Sequence, residues 1–148
     1  MPIYTGERVT RMMLREQRDR LYVFADNLER RVLRGQPDEM RGEPNAVGIP
    51  TRRSPSQLVD AFFSDDDLDA YYTESRAALQ RLVSRLRKGG TVILPIAGLG
   101  TGSDRLKDKA PLIWQQLQYD LARLYAAAGE AAAFVPPIWV GEDEPIGP

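Results

Sequence analysis

The apolar run LYVFA, within residues 20–25, has no polar position to turn toward water and so predicts a central strand covered on both faces. It stops at Asp26-Asn27, residue types that form Asx-turns or helix caps, or that meet a ligand at the carboxyl end of a strand. Residues 7–14, which include RVTRMML, predict a second short strand, separated from the first by the charged stretch REQRDR. After a glycine-, proline- and arginine-rich stretch over residues 28–55, Ala46 to Ile49 predict one more short strand, which Pro50 closes because proline has no N–H to give a ladder. Ser54 to Phe63 predict a short helix or turn.

Two longer periodic segments follow. Leu68, Tyr71, Tyr72, Ala78, Leu79, Leu82, Val83 and Leu86 form the apolar face of a helix that runs to about Arg87 and ends at Lys88-Gly89-Gly90. The acidic triplet Asp65-Asp66-Asp67 reads as its N-terminal charge complement rather than as a metal site. Leu112, Trp114, Leu117, Leu121, Leu124 and Tyr125 mark a second helix, ending near Gly129. Ala131 to Val140 predict an edge strand interrupted by Pro136-Pro137, and the acidic, proline-rich residues 141–148 a flexible tail. Strands alternating with helices indicate a single α/β domain over residues 1–140, a three-layer α/β/α sandwich; the opening pair of strands predicts a mixed, mostly parallel sheet.

Between the two long helices, TVILPIAGLGTGSDRLKDKAP reads as an apolar strand, a glycine-rich turn and a helix that follows at once. Gly98, Gly100 and Gly102 stand at alternate positions, where a missing side chain admits positive φ and lets backbone N–H groups approach a ligand. A helix N-terminus beyond such a turn favours an anion by about 0.3 to 1 kcal/mol. The spacing matches neither the dinucleotide fingerprint nor the P-loop, so the turn predicts either phosphate binding or a tight strand-to-helix connection.

Composition narrows the chemistry. The 148 residues contain no cysteine and no histidine, which removes disulfides, thiolate and imidazole ligands and any serine–histidine or cysteine–histidine machinery. General acid–base work would fall to Asp, Glu or a perturbed lysine. With 20 basic against 21 acidic residues, the net charge of -1 argues against a generally basic surface built for nucleic acid. No apolar stretch approaches membrane-spanning length, so the chain is expected to be soluble, cytoplasmic and free of membrane partners. The arginines of residues 28–53 form its most basic part and suit either a solvated face or recognition of phosphate or carboxylate.

VFADNLERRVLRGQPDEMRGEPNAVGIPTR resembles an uncharacterised family of phages and bacteria whose typical form reads FGDNL, a glycine-rich stretch, then RxxPNAxGIPT. VILPIAGLGTGSDRLKDKAP resembles the same family's closing motif, so the likeness covers about residues 20–114. The layout is also similar to that of macrodomains, which hold ADP-ribose between a loop after an early strand and a glycine-rich loop after a late one. By that resemblance Asp26 and Asn27 match the first loop, with Gly35 in place of its glycine pair, and Gly98, Leu99, Gly100, Thr101 and Gly102 match the second. Asn45 and Thr51, inside PNAVGIPT, join the candidate ligand-binding residues, and Ser103-Asp104 stands where macrodomains often carry an aromatic.

The expected function is binding of an ADP-ribose-like nucleotide derivative, with Arg41 or Arg53 neutralising phosphate and Asn27 meeting a ribose hydroxyl. Its catalytic extension is hydrolysis of an ADP-ribosyl linkage, with Asp26 or Asp104 positioning a water. No cofactor and no metal is expected. The competing expectation is a non-enzymatic phage protein that sequesters a host nucleotide signal or binds a host protein.

Overall fold

A computed structural model describes residues 3–6, 9–30, 40–56, 58–95, 98–101 and 104–129. The strands are β1 (Ile3–Gly6), β2 (Arg20–Asn27), β3 (Ala46–Arg52) and β4 (Thr91–Pro95). The helices are α1 (Arg11–Glu16), α2 (Leu68–Arg87), α3 (Leu106–Lys109) and α4 (Pro111–Ala127), with 3-10 turns at Val59–Ala61 and Asp65–Asp67. The sheet runs in the order β1-β4-β2-β3, and its strand pairs are all parallel. The chain is an α/β sandwich as its alternation of elements implies, but its described sheet is parallel where a mixed one was expected.

The difference starts at the N-terminus. The described part of that segment, residues 9–14, does not form a strand; β1 precedes it and α1 occupies Arg11–Glu16. The segment RMMLRE consists of good helix formers, and Thr10 caps it by accepting the Met13 N–H at 3.2 Å. With a helix between β1 and β2, the connection becomes a crossover, and parallel pairing follows. The strand expected over residues 131–140 and the tail beyond it lie outside the described residues.

β2 is buried on both faces, as its unbroken apolar run requires. Leu21 and Val23 join Val92, Leu94, Val47 and Ile49 in the larger core under α2 and α4, which contribute Tyr71, Leu79, Leu82, Leu86, Ile113, Leu117 and Leu124. Tyr22 and Phe24 point the other way and pack with Ile93, Leu14 of α1 and Met40. Each fully buried large side chain contributes about 1.5 to 3 kcal/mol. β3 runs through Pro50 to Arg52 instead of stopping at Ile49. It is an edge strand, so a residue lacking an N–H is tolerated there.

α1 is fastened to the chain entering β3 by one carboxylate. Glu43 accepts from Arg11 at 2.7 Å and Arg15 at 3.2 Å, and pairs with Arg18 at 2.8 Å. The hydrogen bond from Arg11 is the main reason the Glu43 carboxyl lies down at about 2, from an ordinary 4.5. A carboxyl depressed on folding adds stability above its unfolded value, and that stability is lost as pH falls toward the folded value. Glu43→Gln is therefore expected to flatten the decline of the urea midpoint between pH 4.5 and 2. An unchanged acid limb would assign that decline to other carboxylates.

Candidate functional site

Parallel strands deliver their carboxyl ends to one edge of the sheet, and most of the candidate residues lie there. The carboxylate of Asp26, 2 % exposed, is held by Arg30 at 3.0 Å, by Arg41, and by the Asn27 N–H at 2.8 Å. It lies across Gly48 of β3, where a Cβ would stand 2.6 Å from Asp26 Oδ2; glycine makes room for the ion pair. Arg30, in a left-handed conformation at φ 56°, also donates to the Glu74 carbonyl of α2 at 3.1 Å. The Arg41 guanidinium stands 5.6 Å from the Phe24 ring centre, and its buried Nε has no hydrogen-bond partner.

The turn after β4 crosses this edge. Gly98 and Gly100 have φ of 87° and 76°, whereas Leu99 between them does not enter positive φ. Alternating handedness turns successive N–H groups toward one side, the geometry of an anion-accepting concavity. The Gly98 N–H goes to the Pro95 carbonyl at 3.0 Å, while among the described residues the amides of Leu99 and Gly100 have no partner. Leu99 points its side chain into the core and Thr101 is exposed, so Thr101 and the backbone, rather than Leu99, face outward.

Asp104 pins the turn across the tip of β2 onto β3. It accepts from the Thr51 hydroxyl at 2.5 Å and from Arg52 Nε at 2.7 Å, and Thr51 Oγ1 is 3.5 Å from the Asp26 carbonyl. Asp26, Thr51, Asp104 and the glycine turn therefore form one connected group, with Asn27 at the end of the same strand as Asp26. Arg52, absent from the sequence-derived site, is central to it: its guanidinium lies 4.6 Å from the Phe62 ring centre, with Lys109 Nζ 4.8 Å from the same ring.

Other candidates are employed elsewhere. Asn45 sits before β3, at the opposite edge, about 20 Å from Thr51 along the strand. Its side chain donates to the Leu14 and Gln17 carbonyls and accepts from Arg18, which ties down the end of α1. Arg53 binds Asp67 at 2.9 Å and the Asp60 carbonyl at 3.1 Å. Burial works to raise the Asp67 pKa, but hydrogen bonds from Arg53 and the Ser64 backbone outweigh it and leave the carboxyl below its ordinary value. Gly35 and Gly102 lie outside the described residues.

The helix-dipole contribution is also redirected. α3 has four residues, too few for a substantial dipole, and the long helix α4 begins only at Pro111. At that N-terminus Asp65 accepts the Leu112 N–H at 2.9 Å, a tertiary cap from the acidic triplet expected to serve its own helix. Among the described residues no three Asp or Glu side chains are grouped as a metal site.

The edge has the arrangement in which open α/β sheets hold ligands. Beyond β2, Leu28 packs on the core under α2 and α4 and Arg30 reaches α2, and beyond the neighbouring β4 Leu99 and Leu106 join the same core. At this edge both candidate bases are held in ion pairs with arginine. Of the described helices, none is long and apolar enough to cross a membrane. No curated protein and no solved structure matches the chain. Residues 4–120 match a family model, and the chain belongs to that family of unknown function, DUF7831.

Proposed function

We propose that the protein binds an ADP-ribose-like nucleotide derivative at the carboxyl edge, between the ends of β2 and β4. The observation that carries this reading is the alternating-handed turn Gly98–Gly100, with two amides unpartnered among the described residues, at the carboxyl ends of parallel strands. The amides receive phosphate, Arg41 adds charge, and Asn27 meets a ribose hydroxyl. The engagement of Asp26 and Asp104 by guanidiniums supports binding rather than hydrolysis.

Thermal unfolding with ADP-ribose, NAD and a cyclic dinucleotide tests it. A ligand at a hundred times its Kd stabilises the native state by about 2.7 kcal/mol, a rise of roughly 5 to 10 °C for a domain of this size. Thr101→Glu, at an exposed position, is expected to abolish that rise while leaving the ligand-free midpoint nearly unchanged. A rise retained in Thr101→Glu moves the site away from the turn. No rise with any of the three overturns the proposal, and product formation on incubation restores the hydrolase.

A further inference from the structure

We propose that the opposite, amino-terminal edge of the sheet is a second binding face, for the phosphate backbone of a nucleic acid. Arg15, Arg18, Arg81, Arg85, Arg87 and Arg123 gather there from three helices and the turn after α1. Arg81 donates to the Pro44 carbonyl just before β3, and Arg85 donates at 2.8 Å to the Asp19 carbonyl just before β2. Arg85 lies against Gly90, where a Cβ would stand 2.2 Å from its Cδ, so the strand entrance is shaped around this side chain. Arg87 and Arg123 face one another across a groove floored by Val83 at the C-terminal ends of α2 and α4.

Arg81 and Arg85 are held in place, and the six arginines outnumber the carboxylates of Glu16, Asp19 and Glu43 on the same edge. Carbonyl oxygens position a guanidinium without neutralising it, and among the described residues none of Arg81, Arg85, Arg87 and Arg123 pairs with a carboxylate. Arg15 and Arg18 share the single carboxylate of Glu43 with Arg11. A helix C-terminus supplies only about half a negative charge, less than the two arginines in the last turn of α2 bring to it. At the carboxyl edge, by contrast, Asp26, Asp67, Asp104 and Asp108 are each paired with arginine. A row of arginines, with forked donors matched to phosphate, is suited to a phosphodiester chain.

The test is fluorescence anisotropy of a labelled oligonucleotide, about 20 nucleotides long, single-stranded and duplex, with the full chain and no added nucleotide ligand. Contact with about four phosphates predicts roughly a hundredfold loss of affinity between about 50 and 200 mM NaCl. The triple variant R81Q/R85Q/R87Q should bind at least about tenfold more weakly and with a shallower salt slope, while R81K/R85K/R87K keeps most of the affinity. Lys107→Gln, on the other edge, should change nothing. Arg87→Gln/Arg123→Gln, which removes only exposed guanidiniums, gives the same readout if the triple variant loses its circular-dichroism signature. Absent binding at low salt, affinity unaffected by the glutamine variants, or binding to phosphatidylserine vesicles but not to the oligonucleotides would each overturn the proposal.

Discussion

Gly100→Ala is expected to lower stability by about 2 to 4 kcal/mol, a fall of roughly 5 to 15 °C in midpoint. Two costs add. The residue sits at φ 76°, where a Cβ meets the following carbonyl at a cost of about 1 to 2 kcal/mol. The added methyl would also stand 2.4 Å from Leu106 Cδ1 and 3.0 Å from its Cγ, and Leu106 is fully buried, so it has no open space to turn into. Gly98→Ala is the internal comparison. Its φ is as unfavourable, but the nearest atom is Thr101 Cγ2 at 3.4 Å, an ordinary contact, so about 1 kcal/mol is expected. Adding Leu106→Ala to Gly100→Ala should recover part of the loss, with a coupling of at least about 1 kcal/mol. Equal losses at Gly98 and Gly100, with no coupling, would show that backbone conformation alone demands the glycines.

The contrast divides a motif that looks uniform in one dimension. GLGTG suggests glycines with a shared purpose, yet Gly100 is required by packing on Leu106, and Gly98 stands on the exposed side. What was legible elsewhere follows the same logic. The LYVFA run announced a doubly covered strand because burial on both faces leaves no polar alternation, and the faces of α2 and α4 followed from helical spacing. The helix at Arg11–Glu16 has only six residues, too few to show a period, and the cap at Thr10 decides it. Pro50 ended β3 on paper because edge position depends on strand order, which no local pattern carries. The turn after β4 was visible. Its attachment through Asp104 to Thr51 and Arg52, some fifty positions away, was not, and neither was the use of Asp65 as a cap for α4.

Asp120→Ala is expected to cost about 3 to 5 kcal/mol, the range for removing one member of a buried ion pair. Asp120 is 1 % exposed on the face of α4 that meets α2, a position where a helical stripe would place another leucine. It accepts from the Tyr71 hydroxyl at 2.9 Å and from Gln116 at 3.0 Å, and it pairs with Arg76. Burial pushes the Tyr71 phenol far up its titration range, with the Asp120 charge adding to the effect, so the hydroxyl keeps its proton and remains a donor. The partners differ in what they lose. Arg76 is about a quarter exposed and lies over the Tyr72 ring, so it can swing toward water, whereas the fully buried Tyr71 hydroxyl cannot. Asp120→Asn keeps an acceptor for Tyr71 and should cost less, about 1 to 2 kcal/mol, and Tyr71→Phe about 1 kcal/mol, since it removes the stranded donor itself. Asp108→Ala breaks an ion pair whose side chains are more than half exposed and should change stability by less than about 0.5 kcal/mol. Urea midpoints at constant m-value read all four. If Asp120→Ala and Asp108→Ala lie within error of each other, water reaches the α2–α4 seam and Asp120 is solvated there; the expected separation instead makes this carboxylate the polar lock between the two longest helices.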